Sequence, residues 1–354
     1  MSLPLISVII PTFNRPALVQ QAVESVLGQR GGFPFEILVI DDGSAPATAE
    51  ALQRFGDRIR YVRQENAGLN PARNHGLRLA TGAFIALLDD DDVWMPDKTV
   101  RLMAALERYP RAGFVHSNFW IWKPELEERR ADGLRSWFPR PFSWAEMYEA
   151  RSGAASADEA VDGEDPASGP AYVGDIYYWS LFAPMVLPST AIIRRSALSD
   201  ETRFPELDSV GDWEFFARLS HSSAAVFVPR ETTLNRSHDD AVRLTRTDPR
   251  LRMQRRIGLI HRLWRQDPAF MQAHGAEVTR IEAAVLRRLA RVNIAAGSGA
   301  EARDSLRGVR AIGGRLAASD ALLWALSSVG IAGAGVALYR VVRARLRSPK
   351  RSGF

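Results

Sequence analysis

Cysteine is absent from the 354 residues of the chain. This absence excludes disulfide bonds and metal sites built on thiolates, and it is consistent with a reducing compartment. The first residues, MSLPLISVIIPTFN, also lack the basic segment and the small-residue cleavage site of a signal peptide. We therefore interpret them as the first core strand and expect the domain that follows to remain in the cytosol.

Acidic residues are missing from the C-terminal tail. Its basic residues from position 340 onward are Arg340, Arg343, Arg345, Arg347, Lys350 and Arg351. The formal net charge of the whole chain is only +5, so the rest of the chain is slightly acidic. The basic balance therefore predicts that the C-terminus contacts an anionic membrane surface, and it argues against a nucleic-acid-binding domain.

Over roughly the first 120 residues, short apolar segments alternate with helical patterns. The predicted strands are ISVIIP (6–11), FEILVIDDGS (35–44), RIRYVRQ (58–64), AFIALLDDDD (83–92) and AGFVHSN (112–118). The predicted helices run from Pro16 through Gln29, over 68–82 with Gly82 as the stop, and over 95–110. This order indicates the α/β class, with a Rossmann-like, mostly parallel sheet flanked by helices.

The composition changes twice farther along the chain. Residues 152–170, SGAASADEAVDGEDPASGP, are small and acidic without an apolar period, which predicts a flexible loop. From about Pro249 to Ala296 the chain is rich in arginine and has helical spacing. We therefore predict an α/β domain over 1–245, a helical extension over 246–320, and an apolar helix with a basic tail over 321–354.

Polar residues stand at three predicted strand ends, namely PTFNRP (11–16), Asp41–Asp42 and Asp89–Asp92. Ligands of open α/β sheets bind beyond the carboxyl ends of the strands, so we expect these groups to form one site. The four consecutive aspartates repel one another. They indicate a divalent metal, the start of the helix that follows near Pro96, or a solvated loop.

Four segments occur in the order and spacing of a known family: SVIIPTFNRP, EILVIDDGS, ENAGLNPARNHGLRLATGAFIALLDDDDVW and GDWEFFARL. Together they resemble an inverting family 2 glycosyltransferase with a GT-A fold, over roughly residues 5–245. The resemblance implies a metal-dependent enzyme that moves a sugar from a nucleotide-sugar, expected to be UDP-linked, to a hydroxyl of a glycan or lipid-linked acceptor. Such an enzyme would serve cell-envelope or exopolysaccharide synthesis. The alternative is a catalytically silent nucleotide-sugar-binding or scaffold protein of the same fold.

The resemblance assigns the acidic run to a metal and to the donor. Asp89 and Asp91 match the family's D-x-D element, whose carboxylates would hold Mn²⁺ or Mg²⁺ against the diphosphate. Asp90 would face the sugar or the ribose. His238 stands where relatives often carry a histidine that reaches the metal or the diphosphate, and an exposed surface histidine is the alternative.

The resemblance places the other donor residues at the remaining strand ends. Asp42 resembles the acid that accepts a hydrogen bond from the nucleotide base, and Pro11, Thr12 and Asn14 would line the same pocket. Arg73 in PARN resembles the family's phosphate-side arginine. The alternatives are a simple turn at DDGS and an exposed helix charge at Arg73.

The resemblance also names a catalytic base. Asp212 in VGDWEFF matches the carboxylate that takes the proton from the acceptor hydroxyl, and capping of the helix that starts here is the competing role. Glu214 is a weaker alternative base. The family more often shows Glu-Asp where this chain has Gly211 and Asp212, a departure that leaves the aspartate in place.

The segment from Ala321 to Tyr339 contains no charged residue and approaches the ~20 residues that span a bilayer. A single span would separate the basic tail from the cytosolic N-terminal domain. We therefore expect a helix that lies in the inner leaflet, so that the protein associates peripherally with the inner face of the membrane. The alternative is a helix that packs within the protein.

Overall fold

The computed structural model describes residues 3–138, 142–148, 150–152, 167, 169–200, 202–206, 210–237, 248–314 and 318–328. The chain divides into two compact units, Met1–Val242 and Arg243–Phe354. The predicted loop 152–170 lies almost entirely outside the described residues, and so do His238 and the basic tail.

The first unit is built on a mixed sheet. Its strands are β1 (Ile6–Thr12), β2 (Phe35–Asp41), β3 (Arg60–Arg63), β4 (Phe84–Leu87), β5 (Val93–Trp94), β6 (Phe114–Lys123), β7 (Glu128–Arg130), β8 (Ala150–Ser152), β9 (Ala171–Gly174), β10 (Ile192–Arg194) and β11 (Ala225–Arg236). The order across the sheet is β3-β2-β1-β4-β10-β6-β11-β9-β8, with β5 beside β11 and β7 beside β6. Strands β1 to β4 are parallel, whereas β10 runs antiparallel to both of its neighbours.

Helices cover both faces of this sheet. They are α1 (Pro16–Leu27), α2 (Pro46–Leu52), α3 (Leu69–Leu79), α4 (Lys98–Glu107), α5 (Trp144–Met147), α6 (Tyr177–Ser180) and α7 (Gly211–Ser222). Side chains of β1 alternate between the two layers, because Ile9 packs in the cluster of α3 and α7, whereas Val8 packs in the cluster of α1 and α4. A strand buried on both faces is typical of a parallel sheet, which explains the unbroken apolar run ISVII.

The predicted helices extend up to three residues beyond the observed ones, which are Pro16–Leu27, Leu69–Leu79 and Lys98–Glu107. Helix α3 ends at Leu79, three residues before the predicted stop at Gly82. A Cβ atom on Gly82 would lie 2.7 Å from the carbonyl oxygen of Leu5 and 2.8 Å from the amide nitrogen of Ser7. The glycine is therefore required because the backbone of β1 passes close to it, and not because it terminates the helix.

The second unit is helical in its described part. It contains α8 (Pro249–Ile260), α9 (Pro268–Ala295), α10 (Gly299–Ala311) and α11 (Ala318–Ser328), with a short π-helical turn over His261–Arg265. Asp248 and Asp267 cap α8 and α9, since each carboxylate accepts a backbone N–H of the first turn.

The beginning of the apolar C-terminal segment packs inside the second unit. Leu323 is 2% exposed and contacts a cluster that includes Ala290 and Leu306. Asp320 forms an ion pair with Arg287 at 2.8 Å. Of the helices in the described ranges, none combines the length and the apolar character that a membrane span requires. The residues after 328 lie outside the described part, so the membrane-anchor hypothesis stays a prediction.

Candidate active site

The three polar strand ends meet at one edge of the sheet, as the sequence predicted. Thr12, the last residue of β1, is paired with Asp41 at the end of β2. On its other side β1 pairs with β4 as far as Leu87, two residues before the acidic run begins at Asp89. The hydroxyl of Thr12 donates to Oδ2 of Asp90 at 2.7 Å, which joins the first strand end to the third.

Asp90 is the buried centre of this edge. Its Oδ1 accepts from Nη1 of Arg15 at 2.9 Å, and only 6% of the residue is exposed. Burial raises the pKa of Asp90 to about 6, although the charge of Arg15 opposes that shift. The carboxylate is therefore held between a hydroxyl and a guanidinium and is oriented before any ligand binds.

Asp89 and Asp91 are more exposed than Asp90. Asp89 pairs with Nη2 of Arg73 at 2.5 Å, and Asp91 pairs with Nη1 of Arg15 at 3.1 Å. Their side chains are 23% and 22% exposed, respectively. Each of the two carboxylates of the predicted D-x-D element thus forms an ion pair with a different arginine and remains partly accessible to solvent.

Asp92 has a structural environment. It is 1% exposed, and its Oδ1 accepts from Nδ2 of Asn235 at 3.0 Å and from the amide of Arg236 at 3.2 Å. Burial, reinforced by the charges of Asp91 and Asp89, raises the pKa of Asp92 well above its ordinary value. Asp92 therefore joins the acidic run to the end of β11.

The buried segment 188–190 is hydrogen-bonded to the start of the acidic run. The hydroxyl of Ser189 accepts the amide of Asp89 at 3.0 Å, and the carbonyl of Ser189 accepts Nε1 of Trp94 at 2.8 Å. Nζ of Lys98 donates to the carbonyl of Thr190 at 2.8 Å, and burial holds the pKa of Lys98 well below its ordinary value. These contacts fix the backbone from which the aspartates project.

Arg73 is buried, and not an exposed helix charge. It is 3% exposed, and its guanidinium lies over the ring of Phe204 at 5.1 Å. Helix α3, which carries Arg73, is pressed against the sheet because Gly76 lies directly on Ile9, where a Cβ would come within 2.3 Å of Cγ2. Helix α3 therefore places the guanidinium of Arg73 beside Asp89 at the strand ends.

Asp212 is linked to Arg73 through one intermediate residue, because the preceding Gly211 packs on Asn70, whose Oδ1 accepts from Arg73. It is half-buried in the first turn of α7, and its Oδ1 accepts the amide of Trp213 at 2.8 Å. Burial raises its pKa, the charge of Arg73 opposes the shift, and the charge of Asp89 adds to it. The N-cap position of α7 is Val210, so Asp212 is not the N-cap residue, although the helix dipole favours its charge.

Glu214, the weaker alternative base, has a different environment. It is 2% exposed, and its Oε1 is paired with Nη2 of Arg218 at 2.8 Å. A carboxylate that is buried and neutralised in this way is a poor proton acceptor for an external hydroxyl.

Asp42 and Asn14, which are predicted to line the base pocket, both form hydrogen bonds with neighbouring loop residues. Oδ1 of Asp42 accepts from Nε2 of Gln64 at 2.7 Å, and Oδ2 accepts the amide of Gly68 at 2.8 Å. Asn14 is exposed and has a positive φ of 55°. Its backbone N–H donates to the hydroxyl of Ser44 at 2.8 Å. Pro11 lies inside β1 opposite Ile40. The roles of these residues toward a nucleotide stay predictions.

Sequence reasoning missed two arginines of the site. Arg15 follows β1 in PTFNRP, so the rule that ligands meet strand ends points to it. Arg236 is the last residue of β11, a strand that was not predicted from the sequence. Its Nε donates to the carbonyl of Asp91 at 3.2 Å, its Nη2 donates to Gln21 at 2.6 Å, and its guanidinium lies over Trp122 at 4.3 Å.

Known proteins share this region of the sequence. Residues 7–155 match the sequence model of the family described as glycosyl transferase family 2. A hyaluronan synthase of Pasteurella multocida is 42% identical over 90 residues, which are 24% of this chain and 9% of the relative. A putative colanic acid biosynthesis glycosyl transferase, WcaA of Escherichia coli K12, is 32% identical over 134 residues, which are 36% of this chain and 47% of the relative. The chain thus matches less than half the length of these two curated relatives.

Solved structures share the fold. S. aureus TarS 1-349 in complex with UDP-GlcNAc aligns with a TM-score of 0.53 at 17% identity, over 92% of this chain and 79% of that one. The mannosyltransferase PcManGT from Pyrobaculum calidifontis, in complex with GDP-Man and Mn²⁺, aligns with a TM-score of 0.52 at 19% identity, over 98% and 84%. At these identities the likeness concerns the fold. The predicted resemblance is confirmed over residues 7–155, which match the model of glycosyl transferase family 2, and the chain has the GT-A fold of these solved glycosyltransferases.

Proposed function

We propose that this protein is a metal-dependent inverting glycosyltransferase. It transfers a sugar from a nucleotide-sugar, UDP-linked in our hypothesis, to a hydroxyl of a glycan or lipid-linked acceptor in cell-envelope or exopolysaccharide synthesis. One observation carries the proposal: Gly211, the residue before Asp212, packs on Asn70, whose Oδ1 accepts from Arg73, and Arg73 pairs with Asp89 of the acidic run at the strand ends. The proposed base, an arginine and the proposed metal-binding carboxylates are thus linked at one edge of the sheet.

The donor would bind across the strand ends. Asp42, Pro11, Thr12 and Asn14 would surround the base and ribose, and Arg73 would meet the phosphates. The solved relatives support the type of donor, since TarS holds UDP-GlcNAc and the archaeal mannosyltransferase holds GDP-Man. Those two donors carry different bases, so the uridine preference rests on the resemblance of the strand-end motifs.

The residues at this edge suit a divalent cation. Asp89 and Asp91 offer partly exposed carboxylate oxygens, the ligands that Mg²⁺ and Mn²⁺ prefer. Within the described ranges no three His, Asp or Glu side chains form a complete metal site, so the donor diphosphate and water would have to supply further ligands. His238 is a further proposed ligand outside the described residues. When bound, the cation would neutralise charge on the diphosphate.

Asp212 would act as the general base of a single displacement. The acceptor oxygen forms its bond to the anomeric carbon while the bond from that carbon to the diphosphate oxygen breaks. The hydroxyl proton passes to Asp212, and the nucleoside diphosphate leaves with the bonding electrons, beside Arg73. Burial raises the pKa of Asp212, so the carboxylate holds the proton more firmly than an exposed aspartate does. A single displacement inverts the configuration at the anomeric carbon.

The rival function is a catalytically silent nucleotide-sugar-binding or scaffold protein of the same fold. A silent protein needs no base, yet Asp212 follows Gly211, which packs on Asn70, the hydrogen-bond partner of Arg73.

Release of nucleoside diphosphate from a panel of UDP- and GDP-sugars discriminates between these functions. We expect slow release, by hydrolysis, with one donor in the presence of Mn²⁺ or Mg²⁺, stimulation by glycan acceptors, and loss of release in EDTA. An enzyme assay that detects nucleoside diphosphate is sufficient. Donor binding without release under any metal condition would establish the silent protein, and release that persists in EDTA would remove the metal from the proposal.

We also propose that the C-terminus binds an anionic membrane surface. Ending the chain after Ser328 removes the six basic residues but keeps Leu323 and the Asp320–Arg287 ion pair. The shortened protein is expected to fold and turn over donor normally but to lose salt-sensitive binding to vesicles with anionic lipid, because each basic residue contributes about 1 kcal/mol there. Co-sedimentation with anionic and neutral vesicles measures this. Equal vesicle binding by both forms would show that the tail is not the membrane contact.

A further inference from the structure

We infer that Asn70 is a positioning residue that sets the place of Asp212 relative to Arg73; the inference rests on the function proposed above. Asn70 lies in the first turn of α3, one helical turn before Arg73, and is 1% exposed. Its Oδ1 accepts from Nη1 of Arg73 at 3.4 Å, and its Nδ2 donates to the carbonyl of Pro205 at 2.9 Å. One end of the amide thus faces the phosphate-side arginine.

The other end of the amide touches the helix that carries the base. Gly211 is the first residue of α7 and directly precedes Asp212. A Cβ atom on Gly211 would lie 2.1 Å from Nδ2 of Asn70 and 2.8 Å from its Cγ, so any side chain here must move the amide or the helix. The backbone of α7 therefore packs directly on Asn70. This contact leaves no room for the glutamate of the family's Glu-Asp pair, so the glycine at position 211 has a physical reason in this chain.

A neighbouring contact, between Asn74 and Phe204, also connects α3 to α7 but is not centred on Gly211. The side chain of Asn74 exchanges two hydrogen bonds with the backbone of Phe204, at 2.8 and 2.9 Å. The ring of Phe204 stacks on Phe215 of α7, with centroids 4.1 Å apart. Asn74 therefore attaches α7 to α3 in general, whereas Asn70 sets the position of the first turn of α7, where the carboxylate stands.

The close packing of Asn70 against Gly211 therefore sets the distance between the first turns of α3 and α7. A displacement of the first turn by about 1 Å moves the Asp212 carboxylate away from the acceptor hydroxyl and is expected to reduce turnover by about a hundredfold. Donor binding is expected to change much less, because Arg73 keeps its ion pair with Asp89.

A double-mutant cycle tests the inference. Gly211→Ala is expected to lower kcat by roughly 10- to 100-fold with little change in donor Kd. Asn70→Ala alone leaves the first turn of α7 without its support and is expected to lower kcat by a smaller factor than Gly211→Ala. Because Asn70→Ala also removes the obstructing amide, the added Gly211→Ala change is expected to have no further cost, so the double variant turns over faster than Gly211→Ala alone. Asn74→Ala is the matched control: it is expected to lower Tm, and combining it with Gly211→Ala is expected to give no such recovery.

The readouts are kcat and KM for the donor, donor Kd by calorimetry, and Tm, with rates normalised to folded protein. Wild-type kcat in Gly211→Ala, a double variant that is no faster than Gly211→Ala, or equal recovery with Asn74→Ala would overturn the inference while leaving the proposed function intact. Absence of turnover in the wild-type protein with every donor would overturn the proposed function and this inference together.

Discussion

Asp212→Asn is expected to lower kcat by about 10²–10⁴-fold while donor affinity remains near that of the wild type. The amide occupies nearly the same volume as the carboxylate and can still accept the amide of Trp213, but it cannot take a proton at neutral pH. Initial rates with saturating donor, together with calorimetric donor binding, separate the two effects. Glu214→Gln is the matched control on the same helix turn, and we expect its kcat to stay within a fewfold of wild type because Glu214 is buried against Arg218.

The pH dependence gives a second test of Asp212. Burial raises its pKa above the ordinary aspartate value, and the base must be ionised to act. The rate is therefore expected to fall as the pH drops through that raised pKa, at a higher pH than an exposed aspartate would show. This acid limb is expected to disappear in Asp212→Asn.

Protein stability gives a third test, with the sign fixed by the same shift. The folded state holds the Asp212 proton more tightly than the unfolded state, so Asp212 reduces the free energy of unfolding as the pH rises from about 3.9 through its raised pKa. Asp212→Asn removes this cost, and the variant is expected to be at least as stable as the wild type at neutral pH. A large loss of stability, accompanied by an equal loss of donor affinity, would show that Asp212 is a structural residue.

Local patterns predicted much of the sheet and the gathering of its polar ends. The run from Ile6 to Thr12 is apolar and β-branched because it is buried on both faces, and that requirement is visible in the sequence itself. The meeting of Thr12 with Asp90 follows from a rule about parallel strands, which needs no knowledge of the contacts. These features depend on a few neighbouring residues and on strand direction.

Features that depend on distant partners were not predictable in the same way. Four adjacent aspartates look equivalent in sequence, yet Asp92 is tied to Asn235 and Arg236 while Asp91 stays partly exposed. The difference arises because β11 passes one end of the run, and the position of a strand more than 130 residues away has no local signal. Similarly, the charge-free segment after Asp320 suggested a membrane helix, whereas its described start is packed through Leu323.

The buried and exposed aspartates of the run also differ in what their removal would do. Asp89→Ala would leave Arg73, whose side chain is 4% exposed, without its ion-pair partner, so that change would mix loss of stability with loss of metal binding. Asp91 is the cleaner probe. Its partner Arg15 is 32% exposed and keeps its second contact, with Asp90.

Asp91→Ala is expected to abolish Mn²⁺-dependent nucleotide binding while leaving Tm within a few degrees of wild type. A carboxylate that holds a cation beside the diphosphate contributes several kcal/mol of charge stabilisation, so turnover is expected to fall by at least about 100-fold. Titration of UDP and GDP by calorimetry with and without Mn²⁺, and of free Mn²⁺ by electron paramagnetic resonance, measures the loss directly. Asp92→Asn is the matched control, because Asp92 is buried against β11 and an asparagine oxygen can still accept from Asn235: we expect a Tm no lower than that of the wild type and nucleotide binding that still responds to Mn²⁺. Undiminished metal-dependent binding in Asp91→Ala would mean that the exposed end of the run does not hold the cation, and the D-x-D assignment would have to be given up.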